Sequence, residues 1–329
     1  MDNKVLFALG KCGELDALIA RSFRGHVMIR DHGDLARFEV ERSACIAAVF
    51  VCGSGETDID GSTTGEVDLD FARSVIQTLD PSRITQVVVL STAMVYGASD
   101  QFIERTELSP VATRLELPFA SSKYALEQLC QQWGESHSVG VTVLRPCVVV
   151  HQSKSGVDWI ERSLWSANAA SYSDATPRRQ FLLMSDLVSA IRHVADARTV
   201  GVFNVAPQGS LSEREQLELT GMVGRVRIPS EAAPGIERAR YAMQLSSTPP
   251  EALAYALGSW VVDAQKLRDT GWQPGFSNEE AFVATTRATW WSSMSARRRQ
   301  ELSLAGLGAA AATAVGIGIA LAKNRKRLL

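Results

Sequence analysis

The amino-acid sequence predicts an α/β fold, a doubly wound parallel sheet with helices on both faces, and three observations carry that reading. Short apolar runs recur at 5–9, 27–30, 47–51, 86–90, 141–144 and 202–205. They are continuous and not alternating, the pattern of strands buried on both faces. Between them, segments at 14–23, 68–79 and 121–136 place apolar residues three or four apart, the period of a helix. Strands and helices alternating along one chain imply crossover connections and hence a parallel sheet.

The chain has 329 residues, 46% apolar and 21% charged, which is enough for one large α/β domain with an added lobe. Three segments follow from the pattern: 1–205 as the sheet domain, 206–296 as a smaller lobe on the substrate side, and 297–329 as a tail. The lobe is weakly patterned and rich in proline, with Pro207, Pro229, Pro234, Pro249 and Pro250. The net charge of −2 gives no reason for a nucleic-acid partner. Five dispersed cysteines, with no C-x-x-C pair, fit a reducing cytoplasmic compartment. The N-terminus lacks the long apolar core of a signal peptide. Five scattered histidines offer no metal-ligand spacing, so no metal is expected.

Chemistry concentrates in the middle of the chain. Strand 86–90 runs into Ser91-Thr92 and then Val95-Tyr96-Gly97, and Leu117-Pro118-Phe119-Ala120-Ser121-Ser122-Lys123 is followed by Glu127. Further on come Leu144-Arg145-Pro146, the run 181–187, the run 201–205, Val261-Val262-Asp263 before Lys266, and Gly271-Trp272-Gln273-Pro274. These seven blocks, in this order and over about residues 4–285, resemble the extended short-chain dehydrogenase/reductase superfamily, in its NAD-dependent epimerase/dehydratase group. The resemblance implies a Rossmann-like sheet, NAD or NADP as cofactor, and hydride transfer on a nucleotide sugar or another hydroxyl or keto compound.

It also implies an acid/base tyrosine four residues before a lysine, so that both project from one helix face, with a Ser or Thr hydroxyl opposite. Thr92 and Lys123 fill two of these roles. The tyrosine position holds Phe119, which has no proton to exchange. General acid/base catalysis contributes about 10²–10⁴ in rate, so the site is either decayed or rebuilt. Tyr124 follows the lysine and points about 100° around the helix. Ser121 and Ser122 offer hydroxyls to position a water. The Asp-Glu pair of sugar-nucleotide dehydratases is replaced by Ala93 and Met94, which favours an epimerase or keto-reductase ancestry. His151 departs from the group's pattern and reads as a loop residue.

The first strand leads into Gly10-Lys11-Cys12-Gly13-Glu14-Leu15-Asp16, where the group carries G-x-x-G-x-x-G. Gly10 and Gly13 match the turn that brings a pyrophosphate to a helix N-terminus. Asp16 replaces the third glycine, and together with Glu14 it puts two carboxylates where a phosphate would sit. Asp31, near the end of the second strand, suits a ribose 2′-OH, and Arg30 beside it suits a 2′-phosphate. Lys123 completes the expected cofactor contacts. Read without the resemblance, the loop is a strand-turn-helix with acidic caps.

Residues 302–322 carry no charge over 21 positions, flanked by Arg297-Arg298-Arg299 and by Lys323, Arg325, Lys326 and Arg327. At 1.5 Å per residue the run spans about 31 Å, the thickness of a bilayer core. A C-terminal hydrophobic helix anchoring a cytoplasmic domain to the cytoplasmic membrane is the expectation, with an Ala-rich helix on a partner as the alternative. The partners expected are therefore a small-molecule substrate, membrane lipid along 302–322 and a second copy of the chain in a homodimer. Two functions stay open: a membrane-tethered oxidoreductase, or a non-catalytic, dinucleotide-binding or cofactor-free scaffold.

Overall fold

The computed structural model describes residues 4–8, 14–23, 25–38, 45–51, 67–99, 101–112, 114–150, 170–172, 177–220, 226–228, 230–243 and 250–285. Strand β1 (Lys4–Ala8), helix α1 (Glu14–Ser22), β2 (His26–Ile29), α2 (His32–Phe38), β3 (Cys45–Phe50), α3 (Leu69–Thr78), β4 (Gln86–Leu90), α4 (Pro118–His137) and β5 (Gly140–Pro146) alternate as the sequence implies. Next come β6 (Val148–Val150), β7 (Ala170–Tyr172), β8 (Arg178–Arg179), β9 (Phe181–Leu183), α5 (Met184–Ala197) and β10 (Gly201–Val205). The rest comprises β11 (Leu211–Ser212), α6 (Glu213–Thr220), β12 (Val226–Ile228), α7 (Ala233–Ala242), α8 (Leu253–Leu257), α9 (Gln265–Asp269) and α10 (Asn278–Thr285).

Six strands form one parallel sheet in the order β2-β1-β3-β4-β5-β10. Side chains of a strand alternate between faces, and β4 shows why its run reads as continuously apolar. Val87 and Val89 pack with Phe71, Ile76, Leu126 and Cys130 of α3 and α4, whereas Val88 and Leu90 pack with Ile19, Leu187 and Ile191 of α1 and α5. The open edge at β10 is covered by polar side chains. Glu107 accepts the Asn204 N–H at 2.8 Å, and the Lys266 ammonium donates to the Val202 carbonyl at 2.8 Å. Both contacts blunt an edge that would otherwise pair with another strand.

Several boundaries differ from the sequence expectation by a few residues, and those of α4 and the end of β2 do so for local reasons. Helix α4 begins at Pro118, not at 121, because a proline lacks the N–H that the first helical position leaves unpaired anyway. It ends where Ser138 turns left-handed, at φ 57°. Strand β2 stops at Ile29, because the Arg30 N–H turns to the Asp34 carboxylate at 3.1 Å instead of continuing the ladder.

Beyond residue 206 the chain packs back onto the same core: Trp260, Val262, Leu267, Trp272 and Phe282 join the cluster beneath α1 and α5. Asp186 holds this return in place by accepting the N–H groups of Gly275 (3.0 Å) and Phe276 (3.1 Å). Among the described residues, no helix is long and apolar enough to cross a membrane, and the run 302–322 lies outside them.

Candidate active site

The carboxyl ends of β3 and β4 carry the expected constellation. Thr92 follows β4 in extended conformation and caps a single 3₁₀ turn, Ala93–Tyr96, by accepting the Met94 N–H at 3.3 Å. Lys123 lies in the second turn of α4, and its ammonium donates to the carbonyls of Val51 (2.6 Å) and Leu90 (3.0 Å). It thus bridges the ends of two adjacent strands, next to β1, in the crevice where doubly wound sheets take their ligands. Thr92, Phe119 and Lys123 are 5%, 4% and 2% exposed. A ligand therefore reaches them only if what covers them gives way.

Phe119 points its ring into the core, with the centroid 5.9 Å from the Lys123 ammonium. The two serines between them bond to the backbone of their own helix turn. Ser121 donates to the Pro118 carbonyl and Ser122 to that of Phe119, both at 3.0 Å, while Ser122 also accepts the Val67 N–H that leads into α3. They brace the first turn of α4. Tyr124 is half-buried against the core.

Two other phenols lie close by, and both are engaged. Tyr96 donates to the Asn204 side-chain carbonyl at 2.9 Å under the Arg145 guanidinium, and burial raises its pKa against the opposing pull of that cation. Tyr255, on α8, donates to the Met94 carbonyl at 2.9 Å, and burial pushes its pKa up to about 12. A phenol kept protonated is a poor base. Beneath them, Arg145 meets Glu127 in a buried two-pronged pair at 3.0 and 2.6 Å. Burial alone would lower the Arg145 pKa, but the carboxylate outweighs it and the guanidinium stays firmly charged.

Two groups were not foreseen from the sequence. The Ser91 hydroxyl, one residue before Thr92, is buried and has no hydrogen-bond partner, although its N–H extends the β4–β5 ladder to the Leu144 carbonyl at 2.8 Å. Buried polar atoms are seldom left unpaired, and an orphan beside a crevice marks a place for a ligand or water atom. Tyr255 was also missed, since only the fold brings position 255 to position 94.

The other end of the expected cofactor site is built differently. Gly10 and Gly13 lie outside the described residues, as does His151. Asp16 falls in the first turn of α1. Asp31 is exposed at the end of β2, and its Oδ1 takes the Asp34 N–H at 2.8 Å and caps α2. Arg30 is exposed, with its guanidinium against the Met28 sulfur. The residues at the nicotinamide end thus fit a dinucleotide, and Arg30 and Asp31 lie exposed at the end of β2. Among the described residues no cluster of His, Cys, Asp and Glu gathers to hold a metal.

The sequence model of the NAD dependent epimerase/dehydratase family matches residues 16–206, beginning just past the glycine loop. No curated protein matches the chain. Solved structures do. The chain is similar to UDP-glucose 4-epimerase of Thermus thermophilus in complex with NAD, at 19% identity and TM-score 0.60, covering 86% of this chain and 97% of that one. RMD from Pseudomonas aeruginosa, complexed with NADPH, gives 20% identity and TM-score 0.59 with 86% and 97% covered. A tyrosine-to-phenylalanine mutant of UDP-glucuronic acid 4-epimerase from Bacillus cereus, in complex with UDP-4-deoxy-4-fluoro-glucuronic acid and NAD, gives 14% and 0.57 with 86% and 97% covered. At such identities the likeness establishes the fold. The family match spans more than half of the sequence, and the chain belongs to the NAD dependent epimerase/dehydratase family.

Proposed function

We propose that this protein is an NAD(P)-dependent oxidoreductase of epimerase or keto-reductase type, acting on a nucleotide sugar or a related hydroxyl or keto compound, with Phe119 in place of the acid/base tyrosine. The observation that carries the reading is that the Lys123 ammonium reaches the ends of β3 and β4, at the Val51 and Leu90 carbonyls, two residues before Thr92. When bound, a nicotinamide supplies the hydride acceptor for a carbon bearing a hydroxyl. Lys123 and Thr92 are the residues to hold the nicotinamide ribose and the substrate oxygen. Phe119 moves no proton, and Tyr96 and Tyr255 are engaged elsewhere, so the proton passes to a water or to a group of the substrate itself.

Those same facts favour a second reading, a non-catalytic module, dinucleotide-binding or cofactor-free, that acts as a scaffold or regulator at the membrane. The solved Tyr-to-Phe epimerase mutant from Bacillus cereus holds NAD and a sugar-nucleotide analogue, so in that protein the exchange is compatible with binding both. In either case we place the protein at the cytoplasmic membrane through 302–322, as a homodimer.

Calorimetry with NAD⁺ and NADP⁺, followed by turnover assays on UDP-glucose, separates the readings. Binding with turnover that Lys123→Ala abolishes supports the enzyme. Binding without turnover supports the scaffold. Absence of any dinucleotide or UDP-sugar binding overturns the enzyme and leaves only the cofactor-free scaffold.

A further inference from the structure

The carboxyl end of the sheet carries a row of polar side chains on the face that α4 covers. In β4, Val89 packs with α3 and α4 and Leu90 with α1 and α5, so Ser91, next in line, turns its hydroxyl toward α4. The same alternation in β5 turns Arg145 that way, where it meets Glu127 of α4. Leu90 is in register with Leu144, which puts Ser91 beside Arg145. One helical turn before Glu127, Lys123 sets its ammonium 3.0 Å from the Leu90 carbonyl. That oxygen belongs to the peptide unit whose N–H is that of Ser91, so ammonium and hydroxyl stand at one planar group. Around them Arg145 bonds Glu127, Tyr96 bonds Asn204, and Asn204 donates to the Arg105 and Asp263 carbonyls. The Ser91 hydroxyl, 2% exposed, is the one of this row with no partner. A buried hydroxyl in such a place is met by water or by a ligand.

The same strand end needs a proton carrier, because Phe119 exchanges no proton and Tyr96 and Tyr255 are engaged. We infer that Ser91 is a positioning residue, whose hydroxyl holds beside the Lys123 ammonium the water that carries the proton in place of the missing phenol. This rests on the oxidoreductase reading above. In the reducing direction the water gives its proton to the substrate's carbonyl oxygen as hydride from the cofactor reaches the carbon. The hydroxide left behind is stabilised by the charge of Lys123. In the oxidising direction the hydroxide takes the proton of the substrate hydroxyl as the carbon gives up its hydride, and the water is restored.

The test is Ser91→Ala in the full-length chain, alone and combined with Phe119→Tyr. Because the change removes an orphan and no bond, the Tm of the ligand-free variant does not fall, and calorimetric NAD⁺ affinity stays within about twofold. The kcat on UDP-glucose falls by about tenfold or more. Beside Phe119→Tyr the loss shrinks to under about threefold, since the phenol takes the proton back. A crystal structure of the unaltered chain shows an ordered water about 2.7–3.2 Å from the Ser91 Oγ. Unchanged kcat, or an equal loss with and without Phe119→Tyr, overturns the inference and leaves the oxidoreductase reading standing. So does a fallen Tm or a loss of NAD⁺ affinity that accounts for the lost turnover. The crystallographic arm needs no substrate, and a Ser91 hydroxyl with no water beside it overturns the inference whatever the turnover. If the unaltered chain turns over nothing with NAD⁺ or NADP⁺, the oxidoreductase reading falls and the inference falls with it.

Discussion

The ring of Phe119 lies 5.9 Å from the ammonium of Lys123, one helical turn along α4, where the resemblance puts a phenol. Restoring that phenol is the direct test of whether the site has decayed. Phe119→Tyr is expected to raise NAD(P)-dependent turnover of UDP-glucose by up to about 10²–10⁴. A rebuilt site would instead be unaffected or harmed by the hydroxyl, while Lys123→Ala silences it. Kinetics of both variants beside the unaltered chain distinguish the two.

Glu127 and Arg145 form the buried pair under this site, with side chains 0% and 6% exposed. Removing one partner strands the other charge in the core. Glu127→Ala is expected to destabilise the fold by about 3–5 kcal/mol in urea unfolding. Replacing both residues with apolar ones of similar volume should recover most of that loss. A single variant as stable as the parent would refute the account of the pair.

Tyr255 makes alkaline stability a local readout. Its phenol holds its proton more tightly folded, with a pKa of about 12, than unfolded, with an ordinary value near 10. The stabilisation is therefore complete below about pH 10 and is lost as the pH rises through 12, roughly 2–3 kcal/mol in all. Tyr255→Phe is expected to be less stable near neutrality, having lost the bond to the Met94 carbonyl, and to lose less stability between pH 10 and 12. Parallel pH–stability curves for the two proteins would contradict this.

Asp31 caps α2, and Asp31→Ala is expected to cost about 0.5–2 kcal/mol, while Asp31→Asn, a comparable cap, costs little. Thermal unfolding of the two variants is the measurement.

For the tail, the expected outcome is that the full-length chain sediments with membranes and needs detergent for release, whereas residues 1–296 stay in the supernatant. Full-length protein in a high-speed supernatant without detergent removes the anchor.

All six strands of the main sheet were legible in the sequence as short apolar runs, and a central strand such as β4, buried on both faces, must be apolar throughout. Thr92, Phe119 and Lys123 were marked by the family resemblance, and the four-residue spacing that puts Phe119 and Lys123 on one helix face is a property of the chain. Tertiary structure decided the rest. No local pattern shows that β2 is an edge strand, that Asp31 serves a cap, or that the Ser121 and Ser122 hydroxyls are turned to their own backbone. The orphaned Ser91 hydroxyl and the bond from Tyr255 to Met94 depend on what distant segments bring alongside. A hydroxyl's role is set by the acceptors within about 3 Å of it, and those are chosen by packing and not by neighbours in sequence.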